Sequence, residues 1–212
     1  MSAYCDCANL PTEIVDIPLF DCDFDIGQIF KIVLQRYYST GSTRNGFTVA
    51  TASPTALASW TALLDAEDST KVVQSPELGS PIITPGEELV FGGGNETPGG
   101  IELSLGEGQS AFTGRFLQKN PATILAMRRY KCENIAAYFV NWDGNIFGEM
   151  NEAGTIFMPI KLYSWRLGNR AVNGRGTPDH NDLSFKLAPG WDDRLAAYVP
   201  ADFNAKTDLV AS

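Results

Sequence analysis

The feature that most constrains the fold is a run of strand-forming residues between positions 135 and 150, interrupted once. IAAYFVNW (135–142) and NIFGEM (145–150) are rich in the β-branched and aromatic residues typical of strands. Asp143-Gly144 between them is a strong signal for a tight hairpin turn, because a type I′ turn places both central residues at positive φ. The sequence therefore predicts a β-hairpin with Asp143 and Gly144 at the two central positions.

The first strand of this hairpin has apolar side chains on both faces. Successive residues of a strand point to opposite sides. One face then has Ala136, Tyr138 and Val140, and the other has Ala137, Phe139 and Asn141. We therefore expect this strand to be covered on both sides, by the core and by a neighbouring element.

Further strands are predicted along most of the chain. They occupy residues 29–38, 47–51, 71–74, 101–105, 111–118, 154–167 and 182–188, with Pro159 marking an edge or a bulge. Two helices are predicted from their start signals, since Ser53 and Asn120 are suitable N-caps and each is followed by proline. The first helix should run to about Asp65 and the second towards Cys132, with one further helical turn around 192–198.

Strands outnumber helices and do not alternate with them, which argues against a parallel α/β sheet. The predicted fold is mainly β (α+β): an antiparallel β-sandwich or barrel-like core with two helices. Residues 1–28 are predicted to be an extended N-terminal arm, and residues 29–212 a single β-rich domain. The Gly- and Pro-rich segment 79–100 is predicted to be a long loop or a long mobile hairpin, and 168–181 a polar loop.

The charge balance limits the classes of partner. The chain has 25 acidic and 16 basic residues, for a net charge of −9. A general nucleic-acid binder needs a basic face, because phosphate contacts supply most of its affinity. No apolar run approaches the ~20 residues that cross a bilayer, and the N-terminus lacks the features of a secretory signal. We therefore expect no membrane partner and four free thiols in a reducing cytosol.

No metal site is predicted. Cys5 and Cys7 are separated by one residue, whereas structural zinc pairs have two to four, and Cys22 and Cys132 have no close partner in the sequence. The acidic run Asp21, Asp23 and Asp25 imitates the start of a calcium loop. It has Ile26 and Ile32 where that loop needs glycine and glutamate, so a solvated acidic edge is the better interpretation.

No catalytic or cofactor-binding residue is predicted either. The single histidine, His180, has no nucleophile motif to serve and is expected to hydrogen-bond locally in a loop. GGGNETPGG lacks the lysine and the following helix of a phosphate-binding loop. The acid pairs Glu149 with Glu152 and Asp192 with Asp193 have no aromatic-lined cleft to act in. The chain is therefore not expected to be an enzyme.

A resemblance to a known family rests on CDC and PLFDCDFD near the start, NPATILAMRRYKC (120–132), AAYFVNWDGNIFGEM (136–150) and SFKLAPGWDDRLAAYVPADF (184–203). These segments resemble structural virion proteins of tailed bacteriophages, of the type found in phages of Bacteroidetes, some of them similar to tail-tube proteins. It implies a β-sandwich with a flanking helix, assembled as stacked rings, and it transfers no catalytic residue.

The resemblance implies a homo-oligomeric ring, with a hexamer as one candidate size, that binds other virion proteins. DNA would be passing cargo without specific binding, because an acidic lumen repels phosphates. The protein would be located in the virion and assembled in the host cytoplasm. Two alternatives stay open: another virion component, such as a capsid decoration, head–tail connector or baseplate protein, or a cytosolic enzyme or ligand-binding module.

Overall fold

A computed structural model describes residues 25–117 and 120–210 of the chain. Its helices are α1 (Leu57–Leu64) and α2 (Pro121–Arg129), with 3-10 turns at Pro98–Gly100 and Tyr130–Cys132. The strands are β1 (Ile29–Arg36), β2 (Tyr38–Thr40), β3 (Thr43–Arg44), β4 (Phe47–Thr48), β5 (Val72–Gln74), β6 (Gly79–Thr84), β7 (Glu88–Gly92), β8 (Glu102–Glu107), β9 (Ser110–Leu117), β10 (Ile135–Asn141), β11 (Ile146–Met150), β12 (Ile156–Met158), β13 (Ile160–Lys161), β14 (Tyr163–Ala171), β15 (His180–Leu187) and β16 (Leu195–Tyr198).

The strands form two principal antiparallel sheets. The larger sheet has the order β4-β12-β11-β10-β1-β5, with β13 paired to β10 and β16 paired to β11. The smaller sheet has the order β14-β15-β9-β6, and two separate hairpins are formed by β2–β3 and β7–β8. The mainly β, antiparallel architecture with two helices confirms the predicted fold class. Of the predicted arm 1–28, only residues 25–28 belong to the described part of the chain.

Two hydrophobic cores lie on opposite faces of the larger sheet. Between the two sheets, Phe139 packs with Phe112 and Phe185, whose rings stack at a centroid distance of 4.2 Å. On the other face, Tyr138 packs against Trp60 of α1 and near Leu209 of the C-terminal segment. All residues of β10 are buried, which confirms the predicted coverage on both sides. Burial of large aromatic side chains on both faces makes this strand the centre of the fold.

The turn of the β10–β11 hairpin differs from the predicted type I′ turn. Gly144 has a φ of 89°, but among the described residues only Ser80 and Ser164 are non-glycines at positive φ, so Asp143 is not. The Gly144 N–H donates to Asn141 O, and the Asn141 N–H donates to Asn145 O. The connection is therefore a three-residue loop, 142–144, in which only its last residue needs the left-handed region. The Asn141 side chain also accepts from the Asn145 N–H at 2.9 Å and reinforces this register.

The two helix starts had different outcomes. Asn120 caps α2 as predicted, because its side chain accepts from the Thr123 N–H at 2.8 Å. The prediction of Ser53 as the cap of α1 is wrong, since that helix begins after Ala56. The indole of Trp60 donates to Pro54 O, and the carboxylate of Asp202 accepts from the Leu57 N–H at 2.9 Å. A residue distant in sequence thus supplies the acceptor at this helix start.

Three further predictions need correction. The single strand predicted over 154–167 is divided into β12, β13 and β14, because Pro159 cannot donate to a ladder and the chain changes partner there, from β11 to β10. The helical turn predicted within 192–198 is instead strand β16, which pairs with β11. The predicted polar loop 168–181 is shorter, since β14 ends at Ala171 and β15 begins at His180.

Candidate assembly surface

The segment predicted to be a long loop, 79–100, is mostly strand. Residues Gly79–Thr84 form the edge strand β6, paired with β9, and Glu88–Gly92 form β7. β7 pairs with β8 to make a hairpin that rises from the connection between β6 and β9. The prediction of a loop is therefore wrong for these strands. The alternative prediction, a long hairpin, agrees with the structure of the segment.

The two faces of the β7–β8 hairpin differ in chemistry. Phe91 pairs directly with Leu103, and directly opposed residues share a face, so Leu89, two residues before Phe91, lies on that face as well. We call Leu89, Phe91 and Leu103 the apolar face. The opposite face has Glu88, Val90, Glu102, Ser104 and Glu107. Leu105 is the extra residue of a bulge opposite the Leu89–Val90 step. A sheet face this apolar normally packs against a partner.

The described residues do not cover the apolar face. Phe91 is 53% exposed, and Leu89 and Leu103 are exposed to the same extent. Ile101 and Leu105 on the same hairpin are also exposed. Each large apolar side chain left in water forgoes about 1.5–3 kcal/mol of burial free energy. Clustered exposure of this kind marks interaction surfaces on soluble proteins.

The hairpin joins the body through a narrow neck formed by Gly86 and Gly108. A Cβ added to Gly86 would lie 2.1 Å from Gly108 O, so the two backbones approach more closely than any side chain would allow. The Gly108 N–H donates to Glu87 O at 2.8 Å and closes the base of the hairpin. At the tip, the Thr97 hydroxyl accepts from the Gly93 N–H and donates to Ile101 O. The hairpin is thus held at both ends by its own hydrogen bonds.

The hairpin is also uniformly acidic. Between Lys71 and Arg115 the sequence has six glutamates and neither aspartate nor a basic residue. The glutamates Glu88 and Glu107 oppose each other at the base of the hairpin. The strand predicted at 101–105 is confirmed as β8, whereas the loop interpretation of 79–100, based on glycine and proline content, overlooked the strand signal in ELVFG, which is β7.

The residues that the sequence singled out for possible metal chemistry are not brought together. Cys132 is exposed, and Cys5, Cys7 and Cys22 lie outside the described residues. Within residues 25–117 and 120–210, no three His, Cys, Asp or Glu side chains are grouped as metal ligands would be. The acidic residues predicted as a solvated edge, Asp21 and Asp23, also lie outside the described part of the chain.

His180 is a buried strand residue, which corrects its predicted place in a loop. It is the first residue of β15 and its ring Nδ1 lies 3.4 Å from Pro178 O. Its Nε2 lies 3.5 Å from the Asp182 carboxylate, which Arg115 also approaches at 3.6 Å. The interaction of the ring is thus local, as predicted.

Glu149 belongs to a partly buried polar cluster, and not to a pair of acids. Its carboxylate accepts two hydrogen bonds from the Arg44 guanidinium, at 2.7 Å and 3.3 Å, and lies 3.8 Å from Arg194. The guanidinium stacks over the Tyr37 ring at 4.7 Å. Such bidentate pairs position both partners and are among the stronger ion pairs in proteins. The ion pair therefore joins β3 to β11 of the larger sheet.

The hydroxyl of Tyr138 is buried next to this cluster without a hydrogen-bond partner among the described residues. Burial raises the pKa of the Tyr138 phenol well above its ordinary value, and the charge of Arg44 opposes that rise in pKa. Burial likewise raises the pKa of Tyr37, again against the effect of Arg44. Both phenols therefore stay protonated at neutral pH and act as packing groups.

No helix in the described ranges is long and apolar enough to cross a membrane. The prediction that the chain has no catalytic, cofactor-binding or metal-binding residue stays a prediction. What the described residues do bring together is an uncovered apolar surface on an acidic hairpin.

Comparisons with known proteins gave low similarities. No protein-family model matches the chain, and no curated protein matches it. Among solved structures, a chain in the tail of an empty gene transfer agent particle is 17% identical, with 58% of this chain and 82% of that chain covered and a TM-score of 0.30.

Two further structures show the same level of similarity. A chain of the native gene transfer agent virion is 16% identical over 57% of this chain and 85% of that chain, with a TM-score of 0.31. A chain of the anti-feeding prophage baseplate is 12% identical over 86% of this chain and 99% of that chain, also with a TM-score of 0.31. Scores this low do not establish a shared fold.

Proposed function

We propose that this protein is a structural virion protein of a tailed bacteriophage, and specifically a tail-tube-type subunit that self-assembles into rings or tubes. The observation that carries the proposal is the uncovered apolar face of the β7–β8 hairpin, formed by Leu89, Phe91 and Leu103. A surface of this kind is suited to a neighbouring subunit. The resemblance of segments 120–132, 136–150 and 184–203 to virion proteins supports the same role.

The partners follow from this role. The subunit binds further copies of itself in a ring and contacts other virion proteins at the ends of the tube. DNA passes through without specific binding, because a net charge of −9 disfavours contact with phosphates. The protein needs no cofactor and catalyses no reaction in this role, and its location is the virion. A capsid decoration, head–tail connector or baseplate protein is the alternative within the same class.

Electron microscopy and light scattering of the purified protein test this proposal. We expect rings or tubes at high protein concentration, alone or after addition of other virion proteins. The variant Phe91→Ser/Leu103→Ser should remain folded by circular dichroism but lose assembly, because both side chains are exposed in the subunit. A wild-type protein that stays monomeric under all of these conditions would contradict the proposal. Assemblies without a central channel would favour the alternative virion components.

A further inference from the structure

A second surface, at the other end of the smaller sheet, complements the hairpin. An open pocket of about 410 Å³ lies where α2 crosses β14 and β15. It is lined by Pro121, Ile124, Leu125, Arg128, Arg170 and Asn181. Leu125 is 57% exposed, and the lining has no carboxylate. The pocket is therefore apolar at its base and positively charged at its rim.

Two of the three chain segments that line this pocket have basic residues and no acidic one, whereas the third, around Asn181, includes Asp179 and Asp182. From Phe116 to Lys131 there are four basic residues and no acidic one. From Ala153 to Pro178 there are again four, Lys161, Arg166, Arg170 and Arg175, and no acidic residue. The pocket's Arg128 is held in place by hydrogen bonds to Gly168 O at 3.1 Å and to Asn169 Oδ1 at 3.0 Å. The charge of this surface is thus opposite to that of the hairpin, whose side chains include only glutamates as charged groups.

The two surfaces lie at diagonally opposite corners of the smaller sheet. The hairpin leaves the sheet where Thr84 of β6 pairs with Ala111, near the start of β9. The pocket lies at the opposite edge, against β14, level with Phe116 near the end of β9. Strands rise about 3.3 Å per residue, so these positions are roughly 17 Å apart along the strand direction alone. A contact between the two surfaces therefore joins different copies of the chain, head to tail.

We propose that the apolar face of the hairpin of one subunit docks in the α2–β14 pocket of the next subunit. This inference rests on the proposed function, since it names the partner of the same hairpin. Burial of Phe91 and Leu103 against Leu125 removes apolar surface from water. The glutamates on the opposite face of the hairpin give it a negative charge that is complementary to Arg128 and Arg170 at the rim of the pocket. Contact between two hairpins would instead bring like charges together. A head-to-tail contact repeats into rings or filaments.

Two variants that each lack one side of the contact test the proposal by complementation. Phe91→Ser/Leu103→Ser removes the hairpin's apolar face and leaves the pocket intact, whereas Leu125→Asp blocks the pocket and leaves the hairpin intact. Each variant alone should be monomeric in light scattering. Mixed in equal amounts, they should form one-to-one heterodimers and nothing larger, because only one productive contact remains in each pair. Val210→Asp, at an equally exposed side chain (59%) outside both surfaces, is the matched control and should assemble like the wild type.

The outcomes separate this inference from the proposed function. Normal assembly of Leu125→Asp, combined with loss of assembly in the hairpin variant, would overturn the pocket as the partner and leave the tube-subunit role standing. Two monomeric variants that do not combine on mixing would overturn the head-to-tail contact. A wild-type protein that never self-associates would contradict both proposals. Raising the salt concentration should weaken the heterodimer, because salt screens the attraction between the acidic hairpin and the basic rim of the pocket.

Discussion

The two long hairpins of this molecule have the same local structure but differ in the burial of their apolar side chains. In the β10–β11 hairpin, Tyr138 and Phe139 point to opposite faces and each is buried in a separate core. In the β7–β8 hairpin, Val90 and Phe91 also point to opposite faces, and each is about half exposed. The first hairpin contributes side chains to both cores, whereas the apolar side chains of the second lie outside the cores and are exposed. Apolar content alone therefore does not distinguish a buried strand from an exposed one, because burial depends on whether other parts of the chain cover the strand.

Phenylalanine truncation should give the largest contrast between the two hairpins. Phe139→Ala removes a fully buried ring that packs against Phe112 and Phe185, and should lower the free energy of unfolding by about 3–5 kcal/mol. Phe91→Ala, the matched change in the exposed hairpin, should change the free energy of unfolding by less than about 0.5 kcal/mol. Denaturant unfolding of the two variants measures both values. Equal losses would mean that the β7–β8 hairpin is covered within the subunit.

Neutralising one glutamate in each hairpin should give a smaller contrast. Glu149→Gln removes the acceptor charge from the bidentate pair with Arg44, whose Nε is already buried without a partner, and should destabilise the protein by about 2 kcal/mol. Glu102→Gln on the exposed hairpin should leave the unfolding free energy unchanged. If Glu102→Gln destabilises the monomer as much as Glu149→Gln does, the acidic face takes part in the fold and our comparison is wrong.

The turn glycines offer a test that separates local strain from global stability. Gly144→Val forces a β-branched residue to a φ of 89° and should cost roughly 1–3 kcal/mol, seen as a lower melting temperature. Gly144→Asn tolerates that region and should cost much less. Gly94→Val, at a φ of 55° in the β7–β8 loop, should strain the backbone to a similar degree without lowering the melting temperature, because that hairpin lies outside both hydrophobic cores.

Removing the unpaired hydroxyl in Tyr138→Phe should have the smallest effect at neutral pH. The change removes a buried polar group without a partner, so we expect a gain of up to about 1 kcal/mol. The pKa of Tyr138 is higher in the folded state than in the unfolded state. The stabilisation of the folded protein that comes from this difference is fully present below about pH 10, and it is lost as the pH rises towards the folded-state pKa.

The direction of this pKa shift determines how the stability of the protein changes at alkaline pH. The wild type should lose stability as the pH rises above about 10, and Tyr138→Phe should lose less stability over the same rise in pH. Tyr37 and Tyr130, whose pKa values are also raised by burial, leave part of the alkaline loss in the variant. Urea unfolding at several pH values measures the difference. Identical pH profiles would show that Tyr138 does not titrate differently in the two states.

Much of the local structure was predictable because its signals are local. The Asn120-Pro121 pair predicted the start of α2, and alternation along 135–141 predicted which side chains of β10 share a face. The mainly antiparallel β fold followed from the number and spacing of the strand runs. In each case the determining contact lies within a few residues of the chain, such as a cap to the third residue or a side chain to its second neighbour.

The remaining features were decided by contacts between distant residues. Asp202 supplies the acceptor for the Leu57 N–H at the start of α1, which lies beyond Ser53, and pairing with β11 makes residues 195–198 a strand. The sequence by itself determined that the β7–β8 segment is apolar and acidic at once. Only the tertiary structure decided that no other part of the described chain covers it, because coverage depends on where the sheets end and not on the residues of the hairpin itself.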